Sequence, residues 1–176
     1  MKTRKMTFLG LMIGYSLALY VLETYIPNPL IVIFPGAKLG LSNIITLISL
    51  MLLGVKDTVI IVTIRVILSS IFAGPLSYLL FSIGGAYLSL LFMYLASKIK
   101  DLSLIGISII GAIGHNIGQL IVASLIIENI LAIGYLPFML MASLVTGMFV
   151  GLVSRYTIPK LKHFYSKFYW HNIDKI

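Results

Sequence analysis

The sequence of 176 residues contains no cysteine, which excludes disulfides and thiolate metal sites. Charge is scarce: Asp, Glu, Lys and Arg make up 10% of the chain, against 60% hydrophobic residues. A soluble domain of this length needs far more polar surface. Only five acids occur, Glu23, Asp57, Asp101, Glu128 and Asp174, scattered and unpaired. That argues against Mg²⁺-dependent diphosphate chemistry, which relies on clustered carboxylates to hold the ions. Of the three histidines, His115, His163 and His171, only the first falls inside a long apolar run, so a histidine metal site is not expected. No Ser-His-acid set is recognisable from spacing. The Walker sequence G-x-x-x-x-G-K-[ST] is missing, so the chain is not expected to hydrolyse ATP in that manner. The sequence therefore predicts binding or passage of a small molecule, with no catalytic residue, metal or cofactor. Pro/Ser-rich linkers and low-complexity tracts are also lacking, which points to one domain.

What the chain does have is apolar sequence of membrane-spanning length, recurring from end to end. The first run contains Tyr15, Tyr20 and Glu23 and ends in "YIPNP" rather than in a small-residue cleavage site, so it reads as a retained helix and not a cleavable signal. Six helices are expected, over about 7–25, 39–54, 57–73, 75–97, 103–127 and 136–156, with an interfacial tail over 157–176. The prolines of "IPNP" end the first, because each disfavours helix at the residue before it. Helices 2 and 3 are short for a full crossing, and a four-helix count with these two as a re-entrant pair is the alternative. The expected fold class is an all-α, multi-pass integral membrane protein.

Eleven of the thirteen cations fall on one side of this arrangement. They lie in the N-terminal segment, the 2–3 and 4–5 loops and the tail, whereas Lys38 lies opposite and Arg65 lies within helix 3. The positive-inside rule then predicts both termini in the cytoplasm. The formal charge of +8 is this topology signal. Its dispersal over short loops beside a bilayer speaks against nucleic-acid binding.

The informative residues are the polar ones inside apolar runs. "PGAKLGLSNIITL" carries Lys38 and Asn43, helix 3 carries Arg65 at mid-depth, and "GAIGHNIGQL" carries His115, Asn116 and Gln119. An intramembrane charge costs about 2.5–3.5 kcal/mol on insertion scales, so these residues must face the bundle interior or a wet cavity. His115 and Gln119, at i and i+4, share one face of helix 5, while Gly111, Gly114 and Gly118 supply a smooth face for close helix packing. We expect Lys38, Asn43, Arg65, His115, Asn116 and Gln119 to line or brace an outward-facing ligand pocket. The competing readings are interhelical hydrogen-bond glue for Asn43 and Gln119, a structural cation for Arg65, a satisfied interior histidine for His115 and a snorkelling anchor for Lys38. The cationic bias favours a carboxylate or phosphate ligand, and Tyr25, Phe34, Tyr78 and Tyr135 are candidates for stacking on a ring. In helix 1, Gly10, Gly14 and Ala18 form a small-residue ridge, which serves either an internal contact or a separate membrane partner.

The segments "PGAKLGLSNIITL", "FAGPLSYLLFSIGGAYLSLL" and "GAIGHNIGQL", with Arg65 ahead of the second, resemble the bacterial membrane family called Gx transporter, also labelled heptaprenyl diphosphate synthase component I. The resemblance covers roughly residues 8 to 155. It implies kinship with the S components of energy-coupling factor (ECF) transporters. Those are six-helix proteins of the bacterial cytoplasmic membrane that capture a nutrient near the outer face and dock on a shared transmembrane subunit driven by two ATPases. The ridge of Gly10, Gly14 and Ala18 then takes the role of the docking face, with glycines replacing some of the usual alanines. The label implies a different activity, a membrane subunit of isoprenoid or quinone metabolism that binds a prenyl diphosphate, yet no Asp-rich prenyl synthase motif is present. A third alternative is an assembly or electron-transfer accessory protein, which predicts no tight small ligand.

Overall fold

A computed structural model describes residues 2–27, 39–72, 76–128 and 134–169. Among the described residues six α-helices follow one another: α1 Lys2–Glu23, α2 Asn43–Leu53, α3 Val55–Phe72, α4 Leu76–Ala96, α5 Leu104–Ile127 and α6 Leu136–Tyr169. Four of them, α1, α4, α5 and α6, are long and apolar enough to cross a membrane. The protein is an all-α membrane protein, as expected. Its outward surface agrees with a lipid solvent. Leu11 and Leu22 of α1, Ile60 and Ile67 of α3, and Met141, Val145 and Met148 of α6 are all exposed, an extent of apolar surface that a water-facing monomer does not carry.

The shortest helix is the axis of the bundle. α2 has 11 residues, about 16 Å at 1.5 Å per residue, which is half the hydrocarbon thickness. Every residue from Ser42 to Leu50 is buried. α2 touches all five other helices. A helix apolar on every side is stable only when surrounded, and three apolar clusters surround this one. Leu47 and Leu50 meet Val62, Leu90 and Met93; Ile45 meets Phe8, Met12 and Ile61; Ile44 and Ile48 meet Val150.

α5 packs most extensively, between α4 and α6. The glycines explain how closely. A Cβ on Gly118 would sit 2.1 Å from the Gly84 carbonyl oxygen, and one on Gly84 would sit 2.7 Å from the Gly118 carbonyl oxygen. The two backbones therefore touch where neither has a side chain. Gly147 and Gly151 of α6 approach the Cα atoms of Ile109 and Ile105 of α5 in the same way. The smooth face expected of α5 is the one that meets α4.

The helix ends differ from the sequence expectation in several places, three of them for an evident local reason. α1 ends at Glu23 and is followed by successive i to i+3 bonds, Thr24 to Val21 and Tyr25 to Leu22. α2 starts at Asn43, because Gly40 takes a left-handed φ of 85° and makes a turn that Asn43 N–H closes on its carbonyl at 2.9 Å. α6 continues beyond Tyr156 through Pro159 to Tyr169, where the sequence suggested a tail from 157. Ile158 and Leu161 are partly buried against the clusters of α1, α2 and α3, and that burial outweighs the one backbone bond that Pro159 removes. At this same end of the bundle Lys5 Nζ lies 2.8 Å from Asp57 Oδ2 and ties α1 to α3.

Candidate functional site

Several of the polar interior residues gather around the first turn of α2, at the end of the bundle opposite the Lys5–Asp57 pair. Glu23 is buried, and its two oxygens accept the backbone N–H groups of Gly40 at 2.6 Å and Leu41 at 2.9 Å. A carboxylate here is stabilised by charge-assisted bonds and by the positive end of the α2 dipole. The next residue, Ser42, is the N-cap of α2 but makes no capping bond with its side chain. Its Oγ instead accepts from Arg65 Nη1 at 3.0 Å.

Arg65 is 2% exposed, in the middle of α3. Its guanidinium carbon lies 5.9 Å from the centroid of the Tyr20 ring, within cation–π range, and Glu23 acts on it electrostatically. The Tyr20 hydroxyl is hydrogen-bonded to Ser82 Oγ of α4 at 3.0 Å. Among the described residues, Arg65 Nε and Nη2 have no hydrogen-bond partner. The same holds for Asn43 Oδ1, one residue beyond Ser42.

α5 closes the cluster. His115 and Gln119 are both buried and face the Gly85 backbone of α4. A Cβ on Gly85 would meet His115 Cε1 at 2.7 Å and Gln119 Cγ at 3.2 Å. On its other side His115 approaches Gly40, where an added Cβ would lie 3.3 Å from Nε2 and 2.8 Å from Asn43 Nδ2. Gly40 therefore has two reasons to be glycine: its φ, and the imidazole and amide pressed against it. The shared face of His115 and Gln119 is real, and it points at α4 and the turn before α2.

Asn43, Arg65 and His115 thus lie around one turn, and Gln119 lies with His115 against Gly85 of α4. Asn116 does not join them. Its Nδ2 donates to the Met139 carbonyl oxygen and to Ser143 Oγ, each at 2.8 Å, so its amide bonds α5 to α6. Lys38 and Phe34 lie outside the described residues, as does the Tyr78 side chain. Tyr25 and Tyr135 are exposed. The sequence does not by itself place Tyr20, Ser42, Gly40 or Gly85 in this site, and it offers Glu23 only as one partner for Arg65 read as a structural cation. A buried acid in an apolar helix was the available signal for Glu23. Nothing in the spacing distinguished Ser42 from the other buried serines.

On α1, Gly10, Gly14 and Ala18 are exposed, and a Cβ added at Gly10 or Gly14 meets nothing within 4 Å. The ridge is therefore not spent on a contact with the described helices.

Over residues 12–157 the chain matches the protein family described as heptaprenyl diphosphate synthase component I. It belongs to that family. No curated protein and no solved structure matches it. For this member of the heptaprenyl diphosphate synthase component I family, the matched span takes in the whole polar cluster from Tyr20 to Gln119 and also Gly14 and Ala18 of the α1 ridge, leaving Gly10 just outside. The cluster offers a cation, amides, an imidazole and a carboxylate already held by two backbone donors. That inventory suits recognition of a small polar molecule.

Proposed function

We propose that this protein is a substrate-capture subunit of the ECF S-component type, without its own ATPase, lying in the bacterial cytoplasmic membrane with both termini in the cytoplasm. It binds a small anionic nutrient or cofactor precursor from the outer side and passes it on after docking with a transmembrane subunit and its ATPases. The observation that carries this reading is Arg65: a buried cation with two donors that no described residue accepts, where five helices converge. Buried unpartnered donors are rare in folded proteins, and an unfilled ligand site accounts for them. The ridge of Gly10, Gly14 and Ala18 supports the docking half, because small exposed residues allow another helix to approach closely.

A second reading takes the family description at its word. The protein would then be a membrane subunit of isoprenoid or quinone metabolism whose cations hold a prenyl diphosphate, with the catalytic acids on a partner. Purification of the tagged protein from its native membrane separates the two. Recovery of a membrane subunit with ATPases supports capture, and recovery of a soluble prenyl synthase supports the second reading. Gly14→Leu should abolish the partner's recovery while leaving the midpoint of thermal unfolding unchanged. A variant that still recovers its partner in full removes the ridge from the docking role.

A further inference from the structure

Resting on the capture reading above, we infer that the ligand is a monocarboxylate seated on the Nε–Nη2 edge of Arg65, and that it also carries an N–H or O–H donor for Asn43 Oδ1. A guanidinium has three edges on which it can bond. One face of the Arg65 group is taken by the Tyr20 ring at 5.9 Å, and Nη1 is taken by Ser42 Oγ at 3.0 Å. The two nitrogens left without a partner among the described residues, Nε and Nη2, form the side-on fork. Their N–H bonds run parallel and match the two oxygens of a planar anion.

Charge narrows the class. Glu23 keeps its negative charge, stabilised by the Gly40 and Leu41 N–H groups at the start of α2, and it acts on Arg65. Arg65 therefore already faces one fixed carboxylate, and the anion that carries the least charge suits it best. A phosphate monoester or diphosphate would bring a second or third negative charge toward the Glu23 carboxylate, and among the described residues no lysine or second arginine lies in the cluster to meet it. Asn43 adds polarity in the other sense: its Oδ1 is buried, accepts nothing from the described residues, and is satisfied only by a donor.

The full chain, in lipid nanodiscs and labelled with ¹⁵N-arginine, tests this directly. It has three arginines, Arg4, Arg65 and Arg155, and the Nε–H resonance of Arg65 is the one missing from Arg65→Lys. Titration with sodium acetate should shift that resonance saturably, at a concentration about tenfold or more below that needed with inorganic phosphate. Glycolate, which adds a hydroxyl donor, should bind about threefold to tenfold tighter than acetate, and Asn43→Leu should erase that margin. An equal or stronger response to phosphate overturns the carboxylate assignment, as does a resonance that no anion moves. Glycolate no better than acetate removes Asn43 from the inference. Native mass spectrometry of the same preparation keeps the two levels apart. A retained molecule that lacks a carboxylate leaves capture standing and sinks this inference, whereas a chain that retains nothing and has an unresponsive Nε sinks both.

Discussion

Glu23 Oε1, at the last residue of α1, accepts the backbone N–H of Gly40 at 2.6 Å. The bond spans the connection between α1 and α2 and fixes the turn on which Ser42 and Asn43 depend. With the companion bond from Leu41 to Oε2 at 2.9 Å, it commits both oxygens of a buried acid to backbone, in the way a capping carboxylate serves a helix N-terminus.

Glu23→Gln keeps the shape of the side chain but turns one accepting oxygen into a donor facing a donor. The expected loss is about 1.5–3 kcal/mol, the range for a hydrogen bond to a charged group. Hydrogen–deuterium exchange should show lost protection at the Gly40 and Leu41 amides, with the amides of α4 and α5 far from this turn unaffected. Unaltered exchange at these two amides would mean that the carboxylate does not hold the turn in solution.

Two substitutions at Arg65 separate its charge from its fork. Arg65→Met removes the cation that acts on the buried Glu23 carboxylate, and leaving a buried charge without its counter-charge costs about 3–5 kcal/mol, so the unfolding temperature should fall. Arg65→Lys keeps the charge but loses the planar fork; its thermal midpoint should stay much closer to the parent's, while the folded protein retains no small molecule in native mass spectrometry. An Arg65→Lys variant that retains its ligand in full would show that Arg65 is a structural cation, the competing reading of the sequence.

Asn116 should behave in the opposite way. Asn116→Leu removes the bonds to Met139 and Ser143, and interhelical hydrogen bonds in membranes are worth about 0.6 kcal/mol on average and at most about 1.7. We expect a lowered unfolding temperature of that order, with ligand retention per folded molecule unchanged. Loss of retention in a fully folded variant would return Asn116 to the binding site.

The glycines of α4 and α5 should tolerate far less than those of α1. Gly118→Ala places a methyl group against the Gly84 carbonyl oxygen at a nominal 2.1 Å, which forces the helices apart. Overpacking of this kind typically costs about 1–3 kcal/mol. Gly10→Ala adds its methyl group where nothing lies within 4 Å and should leave the unfolding curve in place. Equal sensitivity at the two sites would mean that α4 and α5 are not in backbone contact.

Much of this architecture was legible because membrane helices announce themselves by length and apolarity. The helix count, the close-packing face of Gly111, Gly114 and Gly118, and the common face of His115 and Gln119 follow from spacing alone. Helix ends were less legible where tertiary contacts decide them: nothing local reveals that Ile158 and Leu161 find apolar partners and carry α6 past Pro159. The direction of Asn116 was hidden for a related reason. Its neighbour His115 is also polar, and only the position of Ser143 on α6 determines that adjacent side chains a hundred degrees apart serve different helices. The role of Glu23 depends on the path of the chain before α2, which a pattern of residue types does not encode.

The 11 residues of α2 have a consequence for biogenesis. So short a segment gives the insertion machinery too little hydrophobic length to be released into the bilayer by itself. Its backbone termini stay unsheltered until neighbours close around them. Since α3 through α6 are synthesised after it, α2 must wait, half inserted, for helices not yet made.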